Sequence, residues 1–131
     1  MKQPLDDTPP PLHELEAEVM DAIWERGEVT VRDVMDALND DPGADRAYTT
    51  YMTIMARLDR KGLLERRRSG KADVYSAVYT RERYNDLRAQ AGVDSLVDQF
   101  GDLALAHLAR QMAQMDPTRR RALERLARGK S

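Results

Sequence analysis

The sequence contains no cysteine among its 131 residues. That absence excludes disulfide frameworks, thiolate zinc sites, cysteine nucleophiles and thiol redox sensing, and it suits a reducing compartment. Aromatic residues are also scarce, at 5% of the chain against 34% charged. Such a balance disfavours an aromatic β core and fits solvated helices with aliphatic seams. No apolar stretch approaches the roughly 20 residues that span a bilayer; Leu103-Ala104-Leu105-Ala106 is typical of the longest. The first eleven residues carry Asp6, Asp7 and four prolines, where a secretory signal needs a basic start and an apolar run. Residues 1–11 are therefore expected to form a mobile tail on a soluble, cytoplasmic chain without direct membrane binding.

Net charge is nearly absent as well, at -2, which at first reading argues against a nucleic-acid partner. Its distribution argues otherwise. Residues 1–45 carry 3 basic and 13 acidic side chains, residues 46–71 carry 8 and 2, and residues 72–131 carry 10 and 8. A short basic window in an acidic chain is the asymmetry that marks a polyanion-binding face, or else a solvated charged surface. What the window folds into decides between them.

Apolar residues at Leu15, Val19, Ala22 and Ile23, with Met20 and Trp24 alongside, predict a helix over 12–26 that stops at Gly27. Trp24 belongs with the core on this spacing. Thr30-Val31-Arg32-Asp33 has the form of a capping box, and Val31, Val34, Met35 and Leu38 make the apolar face of a short second helix. The run Asn39-Asp40-Asp41-Pro42-Gly43 then breaks it. A third helix is predicted over 47–61, with Ala47, Tyr51, Ile54, Met55 and Leu58 on one side and Gly62 as its stop. Two β-compatible runs, 63–68 and 73–79, flank Ser69-Gly70-Lys71-Ala72 and read as a hairpin. Three helices followed by a hairpin is the winged helix-turn-helix arrangement. Helices are predicted again over 80–91, over 93–115 with an interruption at Gly101, and from Asp116-Pro117 onward. The fold class is thus mainly α: a winged helix-turn-helix domain over 12–79 and a helical dimerisation domain over 80–131.

On the third helix, Thr49, Thr53, Ala56 and Arg60 share an azimuth opposite the apolar side, with Thr50 and Arg57 on its flank. Short side chains let a helix backbone approach base edges, hydroxyls and methyls contact them, and arginine reaches phosphate or guanine. Three threonines in five residues are a local cost in helix propensity, unless Thr49 or Thr50 serves as a cap. The hairpin adds Arg66, Arg67, Arg68 and Lys71, four cations on a protruding wing suited to the DNA backbone. Strand alternation forbids all three arginines from pointing the same way, so at least one should cross to the other face or pair with an acid. Double-stranded DNA is the partner these elements predict. The DNA-binding candidates are Thr49, Thr50, Thr53, Arg57, Arg60, Arg66, Arg68 and Lys71.

The segments Leu15-Glu16-Ala17-Glu18-Val19-Met20 with Trp24, Ala47-Tyr48-Thr49-Thr50-Tyr51-Met52-Thr53-Ile54-Met55-Ala56-Arg57-Leu58, and Lys61-Gly62-Leu63-Leu64 carry a further pattern. From about residue 12 to its end the chain resembles the penicillinase-repressor (BlaI/MecI-type) family of bacterial transcriptional regulators. The resemblance implies a winged-helix domain, a C-terminal dimerisation domain and repression at a palindromic operator, read by Thr49, Thr50, Thr53 and Arg57. It also implies, for members controlled by a membrane sensor-protease, cleavage at an Asn-Phe bond. This chain has Ser95-Leu96-Val97-Asp98-Gln99-Phe100. Gln99 departs from the asparagine of that pattern, and Leu96, Val97 and Phe100 equally fit plain dimer core.

The C-terminal helices carry Val93, Leu96, Val97, Phe100, Leu103, Ala104, Leu108, Met112 and Met115 at intervals of three and four, joined by Ala122, Leu123, Leu126 and Ala127. A monomer of this size cannot cover so long a seam, so a homodimer is expected, with Leu96, Val97, Phe100, Leu103, Leu108, Leu123 and Leu126 at its interface. Two-fold symmetry would set two recognition helices one DNA turn, roughly 34–36 Å, apart. His13 and His107 have no ligand spacing, and no nucleophile or paired-carboxylate context is visible, so no enzyme, metal or cofactor is expected. A ligand-sensing winged-helix regulator and a protein-interaction module not acting on DNA stand as alternatives.

Overall fold

The computed structural model describes residues 8–40 and 45–129; part of the predicted breaker, Asp41-Pro42-Gly43, lies outside them. The chain divides into two compact units that meet between Gln90 and Ala91. The first unit opens with α1 (Glu14–Arg26), α2 (Val31–Leu38) and α3 (Tyr48–Arg60), followed by the strands β1 (Leu64–Ser69) and β2 (Ala72–Ala77). This is the expected mainly helical winged helix-turn-helix. Helix α1 begins after His13 rather than at Leu12. Thr30 caps α2 as its sequence predicts, accepting from the Asp33 backbone N–H at 3.1 Å while Asp33 accepts from the Thr30 N–H at 2.9 Å.

The strands pair antiparallel from Leu64 opposite Ala77 to Ser69 opposite Ala72, leaving Gly70-Lys71 as a two-residue turn. Gly70 has φ 62°, as the first central position of a type II′ turn demands, and that turn matches the twist of the flanking strands. A third pairing went unforeseen. Val29, between α1 and α2, exchanges both backbone hydrogen bonds with Tyr75, at 2.7 and 3.0 Å, and ties β2 to the helices.

The core joins Val19, Met20 and Ile23 of α1 to Val31 and Val34 of α2, Tyr51, Ile54, Met55 and Leu58 of α3, and Leu63, Leu64 and Tyr75 of the wing. Burying each large side chain contributes about 1.5–3 kcal/mol relative to leaving it exposed. Ala47, assigned to the apolar side of α3, is instead the exposed N-cap, because the helix has not yet begun there. Trp24 is half-buried against the core; its indole N–H donates to the Tyr79 carbonyl at 2.9 Å.

Two sequence expectations are corrected. Residues 8–11, assigned to a mobile tail, are anchored: Pro9 is fully buried, the Tyr84 hydroxyl donates to the Pro10 carbonyl at 2.7 Å, and Arg88 donates to the Pro9 carbonyl at 3.1 Å. Proline supplies acceptors and apolar surface without a donor to satisfy, so it serves well as such a strap. Burial lifts the Tyr84 phenol above its ordinary range, and Glu16 adds to this while Arg88 opposes it. The expected break between Ala91 and Val93 is likewise absent: α4 runs unbroken from Arg81 to Phe100. A helix-interior glycine costs only about 1 kcal/mol relative to alanine, and the neighbouring turns carry Gly92 through.

The second unit contains the end of α4, α5 (Asp102–Gln114) and α6 (Pro117–Arg128). Gly101, at φ 60°, separates α4 from α5. Asp116 caps α6 by accepting from the Arg119 N–H at 2.9 Å, with Pro117 in the first turn.

Candidate nucleic-acid interface

Helix α3 buries Tyr51, Ile54, Met55 and Leu58. The opposite azimuth therefore faces outward: Thr49, Thr53 and Arg60 are exposed, while Thr50, Ala56 and Arg57 are half-buried on its margins. The threonines are not N-caps, since Ala47 holds that position without a side-chain hydrogen bond. Arg32 of α2 lies 5.7 Å from the Tyr48 ring centre, placing one more cation beside the start of α3.

The approach of α3 to α2 is locked by Asn39, which sequence reasoning took only as a helix breaker. Its amide donates to the Arg46 carbonyl at 2.9 Å and its carbonyl accepts from the Arg46 N–H at 3.2 Å and from the Tyr51 hydroxyl at 2.7 Å. One side chain thus fixes both the loop entering α3 and a buried phenol inside it.

A second anchor is Glu16 of α1, only 1% exposed. It accepts from the His13 backbone N–H at 3.0 Å and from the Lys61 ammonium at 2.8 and 3.1 Å, and it lies 3.9 Å from the Arg57 guanidinium. Burial pushes its pKa up, but the His13 N–H and the hydrogen bond and charge of Lys61 outweigh that and hold the carboxyl below its ordinary range. The sequence held a signal: Glu16 falls three and four residues before Val19 and Met20, in the apolar register of α1.

On the wing, cross-strand partners share a face, so Leu64, Arg66 and Arg68 lie on the same side as Tyr75 and Asp73. This is the side toward the helices. Arg66 reaches Asp59 of α3 and Asp73, both at 3.9 Å, and Arg68 meets Asp73 at 3.3 Å. Arg67 lies on the other side and grips Glu28 with two hydrogen bonds of 2.8 and 3.2 Å. By hydrogen bond and then by charge, that grip holds the Glu28 carboxyl below its usual range. The expectation that at least one wing arginine would lie over the hairpin's other face or pair with an acid is met by Arg67, which does both.

Segment arithmetic overstated the free positive charge, because acids from outside the basic window fold back onto it. Glu16, Glu18, Glu28 and Asp73 all pair with its cations. Among the described residues, Arg60 and Lys71 have no such acid, and both are exposed. The arrangement is a hydroxyl-rich helix face flanked by tethered and untethered cations, suited to base edges beside phosphates.

The penicillinase repressor family model matches residues 12–128. The chain belongs to the penicillinase repressor family. It is 38% identical over 124 residues to the transcriptional regulator BlaI of Mycobacterium tuberculosis, in strain CDC 1551/Oshkosh and in strain H37Rv alike, covering 90% of this chain and 86% of that protein. Among solved structures it is similar to the DNA-binding domain of the repressor BlaI, with TM-score 0.50 and 26% identity over 58% of this chain and 90% of that domain. The penicillinase repressors are transcriptional regulators and not enzymes. This member is accordingly a BlaI-like transcriptional repressor with a winged-helix DNA-binding domain, which decides against an interaction module that does not act on DNA.

In the second unit, neither α5 nor α6 buries a single residue. Leu96, Phe100, Leu103 and Leu126 are between 46% and 68% exposed, and Val97, Leu108 and Leu123 are half-buried. Leu96, Phe100, Leu103, Ala104 and Leu108 line a groove of about 420 Å³ with His107 at its edge. Gln99 and Phe100 both sit exposed in the last turn of α4. Among the described residues, no cluster of His, Asp or Glu is arranged to hold a metal ion, and no helix is long and apolar enough to cross a membrane.

Proposed function

We propose that the protein acts in the cytoplasm as a homodimer that represses transcription at a palindromic operator. Thr49, Thr50 and Thr53 face the major groove with Arg57, while Arg60, Arg66, Arg68 and Lys71 engage phosphates. The observation that carries the dimer is a 91–129 segment without one buried side chain, whose exposed leucines and Phe100 need a second copy to cover them. The residues of mutual contact are Leu96, Val97, Phe100, Leu103, Leu108, Leu123 and Leu126. Two half-sites one turn apart then follow from the two-fold axis.

Selection of duplexes from a random pool by the full chain tests this reading. The expected product is an inverted repeat, and Leu103→Asp should yield a monomer by sedimentation that has lost most of its affinity for it. Recovery of no preferred duplex, or of a single unrepeated site bound by a monomer, would refute it. Control by a membrane sensor-protease that cuts between Gln99 and Phe100 belongs to the same proposal. Its test is the intact mass of the chain in induced cells, where fragments ending at Gln99 are expected and cleavage elsewhere, or none, refutes it.

A further inference from the structure

We infer that Glu16 is a positioning residue for operator recognition: its buried carboxylate fixes the Arg57 guanidinium on the flank of α3 and thereby sets discrimination between operator and other DNA. The inference rests on the reading above that Arg57 faces the operator. Glu16 comes from α1, yet it reaches the C-terminal half of the recognition helix. Its Oε1 accepts from the His13 N–H and Lys61, and its Oε2 accepts from Lys61 and faces Arg57 at 3.9 Å. Held from three directions, the carboxylate cannot rotate away, so it presents a negative charge at one fixed point beneath the binding face.

Arg57 is 43% exposed on its side chain, and without a fixed counter-charge its long stem would sample many rotamers. Lys61 is already satisfied by the two carboxylate oxygens. The remaining charge on Oε2 therefore acts on Arg57, holding it short of a full hydrogen bond and leaving its other donors open to DNA. Arg60 and Lys71, which have no acid beside them among the described residues, lack that constraint. The carboxylate also serves the fold, since it completes the α1 capping box on the His13 N–H and pairs Lys61, and the contact with Arg57 is a further function of the same group. A negative charge near a DNA-binding face also opposes phosphate, so its return is orientation rather than affinity.

The experiment compares wild type, Glu16→Gln, Arg57→Ala and the double variant as full chains. Each is titrated with the duplex that wild type selects from a random pool and with a scrambled duplex of equal composition. Glu16→Gln should lower the affinity ratio of selected to scrambled DNA by about 5- to 10-fold, and in the Arg57→Ala background it should change that ratio less than about 2-fold. Equal changes in both affinities would assign Glu16 a merely structural role and overturn the inference. So would an undiminished effect in the Arg57→Ala background. Should Glu16→Gln lose its helical circular dichroism, Glu16→Gln/Lys61→Gln removes the charge while keeping the pair balanced, and the same outcomes apply. An Arg57→Ala chain with unchanged discrimination overturns the inference too, but by refuting the assignment of Arg57 itself.

Discussion

Asp73 restrains the wing, and replacing it should make the protein bind DNA more tightly but with a steeper dependence on salt. Its carboxylate faces Arg68 at 3.3 Å across the hairpin and Arg66 at 3.9 Å, so Asp73→Asn releases Arg68 on the face shared with α3 and leaves Arg66 to Asp59 alone. If the released Arg68 completes a phosphate contact that Asp73 otherwise holds it short of on each protomer, the dimer gains two full contacts. Each steepens the slope of log K against log salt by about 0.9, or about 1.8 in all. Raising salt from about 50 to about 200 mM would then weaken Asp73→Asn by about 12-fold more than wild type. The melting temperature should scarcely move, because exposed ion pairs contribute only ~0–1 kcal/mol. Fluorescence anisotropy across a salt series, with selected and scrambled duplexes, reads both affinity and slope. Arg68→Ala added to Asp73→Asn should bring the slope back toward wild type. A slope unchanged by Asp73→Asn, or a gain confined to the selected duplex, would refute the view that Arg68 serves phosphate under restraint by Asp73.

Three further outcomes follow from the anchors of the fold. Asn39→Ala removes the acceptor of the fully buried Tyr51 hydroxyl and both bonds to the Arg46 backbone, so urea unfolding should show a loss of about 1–3 kcal/mol; a loss within error would show the lock to be dispensable. Glu16 has a folded-state pKa below the ordinary 4.5, so its contribution to stability is complete above about pH 4.5 and is lost as pH falls through the folded value. Urea midpoints at about pH 7 and about pH 3 should therefore differ less in Glu16→Gln than in wild type, and an identical pH dependence would contradict that assignment. Tyr84→Phe removes the bond to the Pro10 carbonyl and should cost about 1 kcal/mol by the same assay, with wild-type stability counting against the strap.

Local pattern made the elements legible. The 3.6-residue spacing through Val19 and Ile23, the Thr30-Asp33 capping box, and glycine at a hairpin tip each express a preference that acts within a few residues, and tertiary packing agreed with all of them. The outward face of α3 was legible for the same reason, since burial of Tyr51, Ile54, Met55 and Leu58 dictates what remains outside. Long-range pairings were not. Asn39 reads as a helix stop in sequence because the groups it satisfies come from the far side of a turn. Arg66, Arg67 and Arg68 read as a uniform run, yet alternation, two nearby acids (Asp59 and Asp73) and one distant acid (Glu28) divide them into two faces. The prolines of residues 9 and 10 look like the composition of an unstructured end, and only the Tyr84 and Arg88 donors reveal what they bind.

That strap has a consequence for how the chain tolerates trimming. A version beginning at Leu12 would keep every helix and strand, along with the whole segment that the family model matches. It would nevertheless expose the surface that Pro9 covers and leave the phenol of Tyr84 and the guanidinium of Arg88 to find water in place of carbonyl acceptors. Pro9 and Pro10 thus act as a splint on the opening turns of α4, and a proteolytic loss that takes them should be felt along a helix nominally far from them in sequence.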